Sequence, residues 1–339
     1  QGKRKIGKQG DFYTSSSVHA VFAETLMEVA VEISKKHNEP LCFFEMGAGT
    51  GLFARQFLDA LKTKYPVDYE QVRYILIEKS SVHQEEQRAL LKEHVNKVYW
   101  LDSLDEQTGT KRFLGNEGIF FSNELVDAFP VYLVEKRDGK LLEVGVTWDE
   151  REDRLKEIVY PLEREEVLCY LERLGIPLQE GQRLEVPIDA LTWLEEVNRF
   201  LSEGVWLTID YGYTNAELML PQYRRGSLRC YYQHQMDTNP YLNPGEKDIT
   251  YHIHFDMIKE RAVELGWENL GLYHQPDFLL RSGILKLLEA HQETNPFDQG
   301  ALKKNRAIRQ FISPEGMGSS FHVLVLAKGK YVRSKLAYS

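Results

Sequence analysis

The stretch Leu41-Cys-Phe-Phe-Glu-Met-Gly-Ala-Gly-Thr-Gly51 constrains this chain more than any other. A short apolar run ends in an acid, Glu45, and glycines follow at alternate positions: Gly47, Gly49 and Gly51. The amphipathic segment Leu52 to Leu61 comes next. The pattern predicts a strand, a tight turn and a helix. Glycine at such a turn lets bare backbone approach a ligand, because there is no Cβ to hold it off. The helix N-terminus then points unpaired N–H groups and a positive dipole end at the same place. Glu45, at the strand exit, is positioned to meet a cation.

Two ligand classes use a turn of this kind. The dinucleotide fingerprint is G-x-G-x-x-G, and its third glycine would fall on Leu52. The carboxylate of Glu45 would also repel a pyrophosphate. The observed G-x-G-x-G after an acid resembles the first motif of S-adenosylmethionine (SAM) methyltransferases. SAM carries an ammonium and a sulfonium, which Glu45 would attract.

The following segments extend the pattern. Val72 to Glu78 reads as a second strand ending in an acid, and Glu78 stands where a doubly wound sheet takes ribose hydroxyls. Tyr65 to Asp68 reads as a loop insertion. Val98 to Ser103 is a third short strand, and Asp102 lies where such folds contact an adenine amino group. Asp102 could equally cap the next turn. Gly118 to Ser122 is a fourth strand, leading into Asn123-Glu124-Leu-Val-Asp127-Ala-Phe-Pro130.

These pieces together resemble the MidA-like SAM-dependent methyltransferases, over nearly the whole chain. The resemblance rests on Gly10-Asp-Phe-Tyr-Thr-Ser15, Glu45 to Gly51, Asn123 to Pro130 and Asp210-Tyr-Gly212. It continues through Arg225-Gly-Ser-Leu-Arg229, His234, Pro244 to Thr250 and Met317-Gly-Ser-Ser-Phe-His-Val. His254 is a departure, since members often carry Asp there. The resemblance implies a Rossmann-like class I SAM methyltransferase: an α/β fold with a mostly parallel central sheet, helices on both faces and insertions forming a substrate lid. It implies SAM as cofactor and a protein substrate, because the family includes an arginine methyltransferase that assists assembly of mitochondrial respiratory complex I. The substrate is then expected to be a complex I subunit or its equivalent. The compartment is expected to be cytoplasmic for a bacterial protein and the mitochondrial matrix for a eukaryotic one. It also places Asn123, and the opening element with Phe12 and Thr14, at the cofactor. Members carry a further stretch ahead of that element, so more chain is expected before Gln1.

At 339 residues the chain can form one large α/β domain with insertions, or two domains. A net charge of −9 argues against nucleic acid as the main partner, because phosphate binding needs a basic face. Gln1 to Lys8 is basic and reads as a flexible arm. Cys42, Cys169 and Cys230 have no metal-ligand spacing, and a sparse, odd count suits a reducing compartment. No stretch is long and apolar enough for a membrane span.

Helical spacing over Ser16 to Lys36 predicts a long first helix. Central strands are expected at 41–46, 72–77, 97–101, 118–122 and 204–210, with helices at 51–64, 81–94 and 188–203. The methyltransferase domain is read as 1–130 with 188–339. An inserted subdomain, 131–187, carries a hairpin turning at Asp138-Gly139 and a helix at 163–174. Residues 211–253 form a long aromatic-rich substrate-side loop with a hairpin at 228–234. Helices at 255–266 and 277–291 and a strand at 321–327 close the chain.

Methyl transfer needs the nucleophile's lone pair held about 3 Å from the methyl carbon. An arginine guanidinium stays protonated at neutral pH, so carboxylates must grip and polarise it. Glu124 and Asp127, just after the fourth strand, are the candidate pair, sharing one face if that segment is helical. Helix capping is the competing role for them, more so for Asp127. Asp210, after the fifth strand, is a third candidate acid. His234, His252 and His254 lack a completing ligand set, so no metal is expected. His234 or His252 is expected to orient a carboxylate or line the substrate mouth. A small-molecule methyltransferase and a non-catalytic SAM-binding assembly factor are the alternatives; intact Glu45, Glu78, Glu124 and Asp127 speak against the second.

Overall fold

The computed structural model describes residues 20–105, 117–232, 235–288, 299–313, 318 and 320–333. After α1 (Ala20–His37) the chain runs through β1 (Cys42–Met46), α2 (Leu52–Lys64), α3 (Pro66–Gln71) and β2 (Arg73–Ile77). It continues through α4 (Ser81–Leu90), β3 (Val98–Leu101) and β4 (Glu117–Asn123). An antiparallel group follows: β5 (Tyr132–Arg137), β6 (Lys140–Asp149), β7 (Arg154–Pro161), α5 (Glu165–Leu174) and β8 (Arg183–Val186). Then α6 (Ile188–Phe200) leads into β9 (Glu203–Tyr213) and α7 (Asn215–Leu218). Four short strands come next, β10 (Arg229–Tyr232), β11 (Gln235–Asp237), β12 (Asp248–Thr250) and β13 (Ile253–His254). The chain ends with α8 (Phe255–Glu264), β14 (Glu268–His274), α9 (Gln275–Arg281), α10 (Gln299–Ile312) and β15 (Phe321–Lys328).

The main sheet has the order β14-β15-β9-β4-β1-β2-β3, with β13 alongside the end of β9. Strands β3 to β9 in that order are parallel, while β15 runs antiparallel to β9 and β14. Sequence order reverses between β1 and β4, so the strand ends open a crevice there, the place where doubly wound sheets take ligands. β5 to β8 form a separate four-stranded sheet and β10 to β12 a three-stranded one.

The near-continuous apolar strands reflect burial on both faces. Neighbouring residues alternate between layers: Phe43 and Phe121 pack with Phe22 of α1 and Phe57 of α2, whereas Phe44 and Phe120 face Trp193 of α6 and Phe255 of α8. Each fully buried phenylalanine contributes about 1.5–3 kcal/mol. Rings meet across the layers, Phe22 stacking on Phe311 at 5.6 Å and Phe44 edge-on to Phe200 at 5.2 Å.

The mostly parallel α/β sheet expected from sequence is the observed fold, and the five central strands and the Asp138-Gly139 hairpin turn fall where expected. Four details differ. Tyr65 to Asp68 is not a loop: Pro66 opens α3, since its fixed φ and missing N–H suit a first helical position. The second helix expected near the C-terminus stops at Arg281, where Gly283 takes a left-handed φ of 84° before a short 3-10 turn. Helix α4 likewise gives way to a 3-10 turn over Lys92–His94, and α6 ends at Phe200 because Glu203 already belongs to β9. Strands β7, β8 and β14 carry no clear sequence signal. β7 has no regular alternation of polar and apolar residues and lies on a largely exposed edge, β8 is four residues long, and the β14 register shifts between Asn269 and Gly271.

Candidate active site

The turn after β1 has the backbone that only glycine adopts readily. Gly47, Gly49 and Gly51 have φ of 78°, 52° and 80°. A Cβ on Gly47 would sit 2.9 Å from Leu125 Cδ1, and one on Gly51 3.0 Å from Gln87 Cγ. The first contact shows that the loop after β4 abuts the glycine turn. Gln87, fully buried on α4, fixes the turn from behind. Its Nε2 donates to the Gly49 carbonyl at 2.8 Å, and its Oε1 accepts from Trp100 Nε1 at 3.0 Å. Sequence reasoning missed Gln87, because nothing distinguishes one glutamine in a charged amphipathic helix.

Glu45 ends β1 almost wholly buried and accepts a hydrogen bond from the Tyr74 hydroxyl at 2.6 Å. Burial pushes its carboxyl up to about 8, against the Tyr74 bond and with a small addition from Glu78. No basic group acts on it among the described residues. Glu78, at the end of β2, accepts from the Ser80 amide at 2.8 Å. The Gln84 Nε2 donates to the Glu78 carbonyl and to Asp102 Oδ1, both at 2.7 Å, so it ties the ends of β2 and β3 together.

The segment after β4 is not the helix that would put Glu124 and Asp127 on one face. The Glu124 amide extends the β4–β9 ladder by donating to the Ile209 carbonyl at 2.9 Å. The chain then turns sharply, with Glu124 at a left-handed φ of 49° and one 3-10 turn over Val126–Ala128. Asn123 Nδ2 donates to Glu124 Oε1 at 3.1 Å. Asp210 clamps this turn from β9. Its Oδ2 accepts from the Val126 and Asp127 amides at 3.0 and 3.2 Å, and its Oδ1 accepts from the Tyr211 amide at 2.9 Å. Asp127 is buried, and neither carboxylate oxygen makes a well-aligned hydrogen bond among the described residues, although the Ala128 amide is near enough to lower its carboxyl. Burial pushes its carboxyl up to about 7. Burial, then the charges of Asp127 and Glu124, raise Asp210 as well. Three carboxyls this close in low dielectric cannot all be ionised without a cation.

Aromatic groups wall this cluster. Tyr211 packs on Phe321 with ring centroids 3.9 Å apart and lies nearly parallel to His252 at 6.2 Å. Burial raises the Tyr211 and Tyr231 hydroxyls; the charges of Glu124 and Asp127 add to both shifts and the Arg229 guanidinium opposes the second, so these groups lie around one space. Burial lowers His252 to about 4, and its Nδ1 has no partner among the described residues. The His252 amide donates to Ser227 Oγ at 2.9 Å. The Ser227 hydroxyl and amide donate to the buried Glu185 at 3.0 and 2.9 Å, and the Leu228 amide adds a third bond at 3.3 Å. Glu185 thus holds the 225–228 loop, a role that sequence spacing did not reveal. His254 is a packing residue, bonded through Nδ1 to the Tyr170 hydroxyl and through Nε2 to Asn215. Among the described residues no group of three or more His, Cys, Asp or Glu side chains could hold a metal. Phe12, Thr14, the opening element around them, His234 and Met317 lie outside the described residues.

A model of a family of S-adenosyl-L-methionine-dependent methyltransferases matches residues 21–273. The chain belongs to this family. A COG1565-superfamily protein from Burkholderia thailandensis, crystallised with S-adenosyl-homocysteine, superimposes with a TM-score of 0.86 at 29% identity. That match covers 99% of this chain and 84% of the other. A native structure from the same organism and superfamily gives 0.84 at 30% identity, covering 98% and 84% of the two chains. A Drosophila melanogaster relative, a mitochondrial protein arginine methyltransferase NDUFAF7 homolog, is 24% identical over 96% of this chain and 76% of its own length. This methyltransferase uses SAM, and the residues present fit that cofactor. Three left-handed glycines leave the turn bare, and a buried carboxyl that no basic side chain among the described residues compensates stands at the strand exit.

Proposed function

We propose that this methyltransferase modifies a protein side chain, with arginine as the acceptor. The observation that carries the reading is the acid cluster of half-buried Glu124 with buried Asp127 and Asp210 beside the glycine turn, faced by Tyr211 and Tyr231. Acids between aromatic rings suit a planar cation, which gains from charge-assisted hydrogen bonds and from ring faces alike. The name of the Drosophila relative supports the same acceptor.

In this reading Glu45 and the turn of Gly47, Gly49 and Gly51 hold the amino-acid end of the cofactor. Glu78 holds the ribose, and Asp102 and Asn123 complete that site, with Phe12 and Thr14 closing over it. SAM, when bound, supplies an electrophilic methyl group. Glu124 grips the guanidinium and draws its charge away from the nitrogen to be methylated. Methylation leaves the guanidinium charged and releases one proton. Asp127, poised near neutrality by burial, takes it. Asp210 keeps the turn carrying both acids in place. Residues 131–187 and 211–253 form the substrate side. A subunit of respiratory complex I, or its bacterial equivalent, is the first protein to try.

The test is incubation of the protein with methyl-labelled SAM and a cell extract, then hydrolysis of the labelled species. Methylarginine is expected; label confined to small molecules would overturn the reading. Glu124→Gln keeps the shape and removes the charge. Single-turnover methylation should fall about 100-fold, roughly 3 kcal/mol in barrier, with S-adenosyl-homocysteine affinity unchanged. Near-normal turnover would remove Glu124 from the catalytic role.

A further inference from the structure

The β5–β8 sheet has two unlike faces. Residues opposite one another across its ladders share a face. Val134 and Leu184 pack with Val167 and Tyr170 of α5 as a closed core. The other face carries Leu133, Glu135, Arg183 and Glu185, then Val146, Trp148 and Glu157 along its outer strands. A cavity of about 670 Å³ opens on this second face, roofed by the 225–229 loop and the chain around Met236 and Tyr241. That volume is typical of a ligand pocket.

The charges in the cavity do not cancel. Its wall carries four arginines and three glutamates, in a chain whose net charge is −9. All three glutamates are already engaged. Arg183 forks onto Glu157 at 2.9 and 2.6 Å and reaches Glu135 through Nε at 2.8 Å. Arg137 bonds Glu135 at 2.9 Å, and Glu185 is spent on the amides of Ser227 and Leu228. Two cations remain. Arg225 is exposed and makes no side-chain hydrogen bond or ion pair among the described residues. Arg229 donates Nη1 to the Leu228 carbonyl at 2.9 Å and has no carboxylate partner among the described residues. Apolar surface continues beyond them. Val146 and Trp148, on the same sheet face, are 50% and 52% exposed, and Met236 on β11 is 59% exposed. An exposed tryptophan on the sheet face that also floors a cavity with unpaired arginines has the composition of an interface anchor.

We propose that this groove binds an extended segment of the protein substrate in which carboxylate side chains alternate with apolar ones. Arg225 and Arg229 take the carboxylates, and Trp148, Val146 and Met236 take the apolar side chains. The identity of the segment as substrate rests on the protein-methylation reading above; the groove's chemistry does not. The two sites share one piece of chain. Ser227, between Arg225 and Arg229, accepts the His252 amide, and His252 lies against Tyr211 at the acid cluster. A segment held in the groove therefore brings its neighbouring residues to the crevice.

The test uses the full chain, with S-adenosyl-homocysteine, and a fluorescent peptide alternating leucine and glutamate. Its glutamine counterpart and inorganic phosphate are the comparison probes. Anisotropy should show the glutamate peptide binding at least tenfold more tightly than the glutamine one. Arg225→Gln and Arg229→Gln should each weaken it about tenfold, Arg229→Lys should restore part of the loss, and Trp148→Ala should weaken both peptides. The Arg225 side chain makes no hydrogen bond or ion pair among the described residues, so its substitution leaves the fold and S-adenosyl-homocysteine affinity unchanged. Equal affinity for the two peptides, or full affinity in Arg225→Gln, would overturn the proposal. So would phosphate displacing the peptide at equal concentration, which marks a simple anion site. If the peptide behaves as expected and no protein is ever methylated, the substrate reading fails while the groove stands. If a protein is methylated and its KM is unmoved by both arginine substitutions, the groove fails alone.

Discussion

The proposed cofactor side and the proposed substrate side of this molecule are built on different principles. On the cofactor side, the features that set the backbone are local, although Gln87 and Tyr74 brace them from 38 and 29 positions away. Three glycines within five residues set the turn, and each acid stands at the end of its own strand. On the substrate side, the decisive contacts join distant parts of the chain. Asp210 holds amides 84 and 83 positions away, and Glu185 holds a loop 42 positions on. A backbone conformation can be specified by neighbours in sequence. A buried carboxylate has to be satisfied by whatever the fold brings to it. The cofactor side should therefore be sensitive to backbone changes and the substrate side to changes of charge.

The sharpest way to break that contrast is to place the same substitution on both sides. Gly49 and Gly139 both sit at left-handed φ, 52° and 73°. Valine at either costs about 1–2 kcal/mol of backbone strain. Gly139 turns a hairpin with open space around it, so nothing but stability should change. Gly49 belongs to the turn proposed to cradle the cofactor. Calorimetry should show S-adenosyl-homocysteine affinity falling about 100-fold or more in Gly49→Val and holding in Gly139→Val, on the scale of a lost close contact. Equal behaviour of the two variants would mean that the turn does not cradle the ligand.

The same contrast explains what the sequence disclosed. The glycine turn, the central strands and the acids at their ends follow from short-range pattern and were legible. Glu124 and Asp127 were legible as chemistry but not as geometry. Their shared face depended on the segment being helical, and instead the chain makes a ladder bond to Ile209 and turns with Glu124 at a left-handed φ. Asp210 read as one more acid facing the crevice, whereas all three of its bonds go to backbone amides. Gln87, Tyr74, Glu185 and Ser227 gave no signal. Each acts through a partner at least 29 positions away, and single-residue composition says nothing about such pairs.

Charge changes on the substrate side sharpen the comparison. The Asp127 carboxyl is buried without a well-aligned hydrogen bond among the described residues and is raised to about 7 from an ordinary value near 3.8. A raised carboxyl favours the fold below the unfolded value and loses that contribution as pH climbs to the folded one. Stability should therefore fall between about pH 4 and 7. Asp127→Asn removes the titration but keeps a buried amide, which has its own desolvation cost. Denaturant unfolding should show the variant about 4 kcal/mol more stable than the parent at pH 8 and little changed at pH 4. Its turnover should drop, so stability and activity move in opposite directions. A variant less stable at pH 8 would make Asp127 a structural residue.

The smallest effect belongs to charge on the cofactor side. Glu45 is held near 8 by burial, so below that pH it is mostly a neutral carboxyl. A cationic ligand end calls for the carboxylate. Binding below pH 8 must then expel a proton, at a cost of about 1.4 kcal/mol for each unit below the folded value. Between pH 6 and 7 the ligand's own α-amino group stays largely charged, since such groups titrate near 7.7–8.0. The slope in that window therefore reports Glu45. Affinity for S-adenosyl-homocysteine should rise about tenfold from pH 6 to 7 in the parent protein and stay flat in Glu45→Gln. Calorimetry in two buffers of different ionisation enthalpy should show close to one proton released at pH 6.5 by the parent and none by the variant. Parallel pH profiles in the two proteins would detach Glu45 from the ligand's charge. The glycine turn would then carry cofactor recognition by backbone alone.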